Sequence, residues 1–291
     1  MNRITTRWAS VALLAAVALI FTPPVAYGEA AEAKSWAPAA LARTPAHAWS
    51  YPSVISSFRM SGVTPPYARG ILSYGLQGVF FERDDYNYLY NFNTAGSLVS
   101  TVRLPGAVRL GDADFAPEGY AGCFAVVDEG SHELKAYTRT GSFYGVIRTL
   151  RSDVVGYGVG GHVTKYLYLG TRDGVVYRYT PAWSFLYSFA TGVEIADLAA
   201  GQGYNGYWGD WLEVGPARSG EPIRVYDGWG GSFYGSFSLP GVRNCGASAG
   251  YRSAYVCLRD LGTEIWAYAV DLGPLMAVEP ASLGRVKALY K

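Results

Sequence analysis

VVYRYTPAWSFLYSF, residues 175–189, runs from an alternation of apolar and aromatic residues through a polar turn to a serine and more aromatics. Alternation with a period of two, broken by turn formers, reads as two short antiparallel strands joined by a hairpin. The phrase recurs as YLYNFNTAGSLVSTV (88–102), ELKAYTRTGSFYGVI (133–147) and PIRVYDGWGGSFYGSF (222–237), and its first half returns as EIWAYAVD (264–271). Its anchoring aromatics are Phe92, Tyr137, Tyr179, Tyr226 and Tyr268, spaced 45, 42, 47 and 42 residues apart. The hairpins fall at Gly96-Ser97, Gly141-Ser142, Trp183-Ser184 and Gly231-Ser232.

A period near 44 leaves room for a second strand pair in each repeat. A small-residue strand comes first: ILSYGL (71–76), DADFAP (112–117), VVGYGV (154–159), IADLAA (195–200) and CGASAG (245–250). A bulkier one follows: GVFFER (78–83), GCFAVVD (122–128), YLYLG (166–170), YWGDWLEV (207–214) and AYVCLRD (254–260). Four strands per repeat at this period match the blade of a β-propeller. The small residues then fit strands that line a central channel, where bulky side chains would collide. The fifth repeat lacks its outer strand, and SVISSFRM (53–60) resembles the outer-strand phrase SFYGSFSL (232–239). The expectation is an all-β propeller of five four-stranded blades over residues 50–272, closed by the N-terminal strand. A sandwich with the same strand count would not explain the repeat. Phrases such as VVYRYTPAWSFLYSF resemble those of secreted bacterial propellers related loosely to NHL and WD-type repeats, although no WD dipeptide sits in the family's position.

The ends read differently. Arg3 and Arg7 precede the apolar run ASVALLAAVALIF (9–21), and Ala26 and Gly28 stand at −3 and −1 of a signal-peptidase site. Residues 1–28 are therefore read as a secretory signal with a mature start at Glu29. The run is too short to span a bilayer, which takes about 20 residues. Export to the periplasm, cell surface or medium is expected, with no membrane span after signal removal. Losing the signal leaves 22 Lys and Arg against 23 Asp and Glu, so no basic excess points to nucleic acid. Residues 29–49 read as an Ala/Pro-rich linker. Residues 273–291 read as a tail in which a short helix can start at Ser282.

Cys245 and Cys257 fall on adjoining strands of the last repeat, about equally far from the turn at residue 251. An oxidising compartment would allow a cross-strand disulfide there, and two free buried cysteines are the alternative. No His or Cys spacing suggests a metal, and no motif implies a cofactor.

The turns between blades place Arg109, Arg151, Arg243 and Glu194 at matching points of the repeats. Guanidinium groups gathered at one mouth could hold an anionic or carbohydrate ligand by bidentate hydrogen bonds. Alternatively, they pair with acids such as Asp112, Asp153, Glu194 and Asp197 and fix blade packing. Trp208 and Trp211, with Trp229, cluster in the fourth repeat, where aromatic rings could stack on sugars. Five-bladed glycoside hydrolases set paired carboxylates around the channel. Here that role would fall to Asp112, Asp114, Asp153 and Asp197, although the first repeat's inner strand holds no acid. Three readings stay open: a non-enzymatic binding module, a carbohydrate-active enzyme, and a structural module that docks on other envelope proteins.

Overall fold

The computed structural model describes residues 53–59, 68–73, 79–83, 87–93, 95–107, 109–120, 122–160, 166–202, 210–218, 221–238, 243–249, 253–259 and 265–271. The signal segment, the linker and the C-terminal tail lie outside these residues. Twenty strands appear among them, beginning with β1 (Ser53–Arg59). The first sheet holds β2 (Ala68–Ser73), β3 (Val79–Arg83), β4 (Tyr88–Phe92) and β5 (Leu98–Arg103). The second holds β6 (Leu110–Phe115), β7 (Cys123–Asp128), β8 (Glu133–Thr138) and β9 (Phe143–Thr149). The third holds β10 (Val154–Gly160), β11 (Tyr166–Thr171), β12 (Val175–Tyr179) and β13 (Phe185–Ala190). The fourth holds β14 (Ile195–Gln202), β15 (Asp210–Pro216), β16 (Ile223–Asp227) and β17 (Phe233–Phe237). The fifth holds β18 (Arg243–Ala249), β19 (Ser253–Arg259) and β20 (Ile265–Asp271), with β1 paired on the far side of β20. Every neighbouring pair is antiparallel.

The anchoring aromatics mark the same point in successive sheets. The third and fourth strands shift register by one residue at Phe92, Tyr137, Tyr179 and Tyr226. Such a bulge adds twist to the outer ribbon. Phe92, Tyr137 and Tyr226 are buried. Just beyond them, the hairpins need a left-handed backbone. Gly96, Gly141 and Gly231 supply it at φ of 79°, 84° and 68°, and in the third sheet Trp183 takes it at 63°. A β-carbon at Gly141 would stand 2.7 Å from the Arg103 carbonyl of β5, so each hairpin presses on the outer strand of the preceding sheet. At Trp183 the partly buried ring takes this place, 4.9 Å from the Arg148 guanidinium of β9.

Apolar burial lies between sheets rather than in one central mass. Leu89 and Val102 of the first sheet pack with Leu110, Phe124 and Tyr137 of the second. Ala125, Leu134 and Ala136 of the second meet Val154, Tyr157 and Leu169 of the third. Val155, Tyr168 and Val176 of the third meet Leu198, Leu212 and Tyr226 of the fourth. The innermost strands also touch: β6 lies against β2 and β10, β14 against β10 and β18, and β18 against β2. Small residues are required there, since a β-carbon at Gly156 would sit 2.9 Å from that of Leu198. The chain is all-β and propeller-like.

Gly231→Ala tests the hairpin geometry. Its β-carbon would stand 2.7 Å from the Phe189 β-carbon, on a backbone at φ 68°. Urea unfolding should show a loss of about 1–3 kcal/mol.

Candidate functional site

The turns that enter the inner strands and those that join the second and third strands share one end of the sheets. One backbone hydrogen bond repeats there. Glu129 N–H donates to the Arg109 carbonyl, Arg172 N–H to that of Asp153, and Ala217 N–H to that of Glu194, each at 2.8 Å. These bonds make Arg109, Asp153 and Glu194 the true counterparts. Arg151 lies two positions earlier, inside a four-residue turn whose last residue, Asp153, directly precedes β10, just as Arg109 and Glu194 directly precede β6 and β14. Its guanidinium folds back onto the shared position, with Nη2 2.6 Å from Asp153 Oδ2 and Nη1 donating to the Tyr177 hydroxyl at 2.9 Å.

Around this rim, guanidinium groups stand half-exposed against less exposed acids. Glu129, nearly buried, lies 3.6 Å from Arg109 Nε and 2.9 Å from Arg172 Nη2, bridging the second and third sheets. Arg218 Nη2 lies 3.3 Å from Glu194 Oε1. The side chains of Arg109, Arg151, Arg172 and Arg218 are 49%, 62%, 56% and 69% exposed. Exposed pairs of this kind contribute little stability. They do hold cationic groups in defined positions. Arg172 and Arg218 were not singled out in the sequence, where Arg172 sits in RDG and reads as an ordinary turn. Arg243 lies on β18, opposite Arg259, and its side chain is outside the described residues, as is Trp208. Trp211 is buried in β15, its ring against the Gly201 backbone; it fills the interior of the fourth sheet, not a mouth.

Two of the inner-strand acids, Asp112 and Asp114, serve the backbone. Asp112 Oδ2 accepts the N–H of Tyr157 at 2.8 Å and of Leu198 at 3.0 Å, while its Oδ1 accepts from Ala113. Asp114 Oδ2 accepts from Val159 N–H at 2.8 Å. An inner strand has an edge with no further strand beside it, and these carboxylates satisfy donors on that edge. Deeper in the second sheet, buried Lys135 donates to Asp128 at 2.6 Å and to the Gly106 carbonyl at 2.6 Å. Burial and the neighbouring Asp128 and Glu133 push the Tyr137 hydroxyl up to about 12.

Glu213 breaks the pattern. It occupies the β15 position that pairs with Ala199 and Val225; its counterparts in the second and third sheets are Ala125 and Tyr168. It is fully buried, and neither carboxyl oxygen has a hydrogen-bond partner. Desolvation first, and the charge of Asp197 second, raise its pKa well above the ordinary glutamate range. Asp197 is its electrostatic neighbour, and Glu213 itself has no exposure to solvent.

Cys123 is buried and free. Cys257 pairs in register with Gly246, and Cys245 falls in the irregularity between Asn244 and Gly246; their side chains are outside the described residues. Among the described residues no three His, Cys, Asp or Glu side chains gather as for a metal, and no helix is long and apolar enough to cross a membrane.

No protein-family model matches the chain, and no curated protein matches it. Among solved structures it is similar to BBS1N in complex with ARL6DN, in crystals soaked with lead (16% identity, TM-score 0.41) and with mercury (15%, TM-score 0.39). The matches cover 69% and 70% of this chain but 59% and 66% of those chains, less than two thirds of their length.

Substitutions at two positions separate these roles. Asp112→Ala strands the Tyr157 and Leu198 donors, and chemical denaturation should show a loss of about 2–4 kcal/mol. Asp112→Asn, which keeps an acceptor, should lose less. For Glu213 the folded pKa lies above the unfolded one, so its contribution is intact below about pH 4.5 and erodes as pH rises. Glu213→Gln should therefore be more stable than the native chain at pH 7, and the gain should shrink toward zero as unfolding is measured down to pH 4.

Proposed function

We propose that the chain is an exported five-bladed β-propeller that binds a partner bearing anionic groups, such as an acidic glycan or an acidic protein surface, at its arginine-lined rim. The observation that carries this reading is the row of half-exposed guanidinium groups, Arg109, Arg151, Arg172 and Arg218, each steadied by an acid less exposed than itself. A preplaced planar fork loses little freedom when it meets a carboxylate, sulfate or phosphate. The ring reading is supported by the contact of β18 with β2 and by the hairpin at Gly96, which packs on β1 as other hairpins pack on preceding sheets. Export is supported by residues 1–28. A binding rather than catalytic role is supported by the engagement of Asp112 and Asp114 with backbone donors.

Thermal unfolding in the presence of sulfate, phosphate, and neutral and anionic glycans tests the rim. A ligand at about 100 times its Kd should add about 2.7 kcal/mol. The shift should be confined to anions, fade with added salt, and vanish in an Arg151→Ala/Arg172→Ala/Arg218→Ala variant. Equal response to neutral glycans, or none to any compound, would leave a module that acts only through protein surfaces. Mass measurement of the chain expressed in a bacterium with its full N-terminus should find a mature form starting at Glu29; an intact N-terminus inside the cell would remove the export reading.

A further inference from the structure

Arg178 lies in β12 one position before the anchoring aromatic. The other repeats place Asn91, Ala136, Val225 and Ala267 there, and the last three are fully buried apolar residues. Arg178 is itself only 3% exposed. A cation therefore occupies a slot between the third and fourth sheets that its counterparts fill with methyl groups.

Aromatic rings enclose it. The guanidinium carbon lies 3.7 Å from the Tyr166 ring centroid, 4.5 Å from that of Trp229, 5.6 Å from Tyr187 and 5.8 Å from Tyr168. The enclosure depends on a second departure from the repeat. Between Tyr226 and Phe233 the fourth hairpin holds one more residue than the hairpins after Phe92, Tyr137 and Tyr179. This longer turn carries Trp229 over Arg178. It also offers the Gly228 carbonyl to the hydroxyls of both Tyr168 and Tyr187. Two independent irregularities thus meet at one point.

The cage covers the faces of the guanidinium and leaves its edge unserved. Nε and Nη2 are buried without a hydrogen-bond partner, and no carboxylate pairs with Arg178 among the described residues. Cation–π contact acts through the ring faces and supplies no acceptor for N–H groups. Buried Lys135 shows the contrast, because the fold gives it two acids and a carbonyl. A buried charge with open donors costs stability unless something completes it. Nε and Nη2 carry parallel N–H bonds, spaced to meet the two oxygens of one carboxylate. Trp229 is 49% exposed, so it is the wall of the cage that faces solvent.

We propose that Arg178 is the anchor of a carboxylate-binding site, reached past the Trp229 ring, that takes a ligand whose carboxylate sits beside a flat or apolar group. The carboxylate completes the Nε–Nη2 fork, and the flanking group rests on the displaced indole. The site lies at the end of the third and fourth sheets that bears the strand three-to-four hairpins, away from the arginine rim, and does not depend on that rim's role.

The full chain can be titrated with benzoate and with neutral benzamide, followed by tryptophan fluorescence and melting temperature. Benzoate should bind at least about tenfold more tightly than benzamide, a difference of about 1.4 kcal/mol. Arg178→Met should abolish the benzoate response while melting at or above the native temperature, since it removes an unpaired buried charge. Arg178→Lys keeps the charge without the fork and should weaken benzoate by about tenfold. Trp229→Ala should reduce both the fluorescence change and the affinity. Equal binding of the two compounds, no response at millimolar benzoate, or a benzoate response kept by Arg178→Met would overturn the site. If Arg178→Met melts well below the native chain and the native chain ignores benzoate, the guanidinium is a structural wedge and the proposal fails.

Discussion

Asp112 places one carboxylate where three sheets meet, accepting N–H groups from Tyr157 of the third and Leu198 of the fourth while standing on the second. The rest of the architecture depends on the problem it addresses. An innermost strand is bonded on one side only, and its other edge faces the inner strands of neighbouring sheets. Small residues such as Gly156 allow that closeness, and the closeness creates the unsatisfied donors. Asp112 and Asp114 answer them with acceptors supplied across the gap. Two of the four acids that would draw attention as catalytic candidates are thereby committed to the backbone.

Between the sheets the chain uses one packing scheme and departs from it locally. The shared scheme is an anchoring aromatic at a register shift, a left-handed hairpin residue, and an apolar layer against the next sheet. The departures are ionisable residues. Lys135 is paired and serves the second sheet; Glu213 is buried without a partner in the fourth; Arg178 is caged between the third and the fourth. Each costs more than an apolar residue of similar size would.

The sheets were legible because their signals are local and recur. Phe92, Tyr137, Tyr179, Tyr226 and Tyr268 locate the third strands, the turn residues locate the hairpins, and SVISSFRM pairs on β20 as its resemblance to an outer strand implied. Strand ends moved by a few residues, most at β2, which begins at Ala68. The site was less legible. Arg151 aligned with Arg109 by the apolar residue before each, yet Asp153 is the residue that directly precedes its inner strand, and the repeated backbone bond reveals it as the counterpart. Trp211 and Trp229 look alike as aromatics of one repeat, but one is buried and the other half-exposed. Arg178 and Glu213 sit inside alternating strands where either face is buried, so a period of two cannot tell a solvated charge from an enclosed one. The lengthened fourth hairpin was visible as a count of residues, and its meaning needed the ring of Trp229 in place over Arg178.

The pairing of β1 with β20 has a consequence for how the molecule comes into being. Ser53 is matched with Asp271 and Arg59 with Trp266, partners more than two hundred residues apart in the chain. Bringing such distant segments together costs about 2–3 kcal/mol more entropy than closing a hairpin of a dozen residues. The other four sheets are each assembled from one continuous stretch and can form by local steps. The fifth has to wait: β1 has no partner until β20 is made. Until then β1 carries an unpaired edge, so the long-range closure and an exposure to mispairing with another copy fall on the same seven residues.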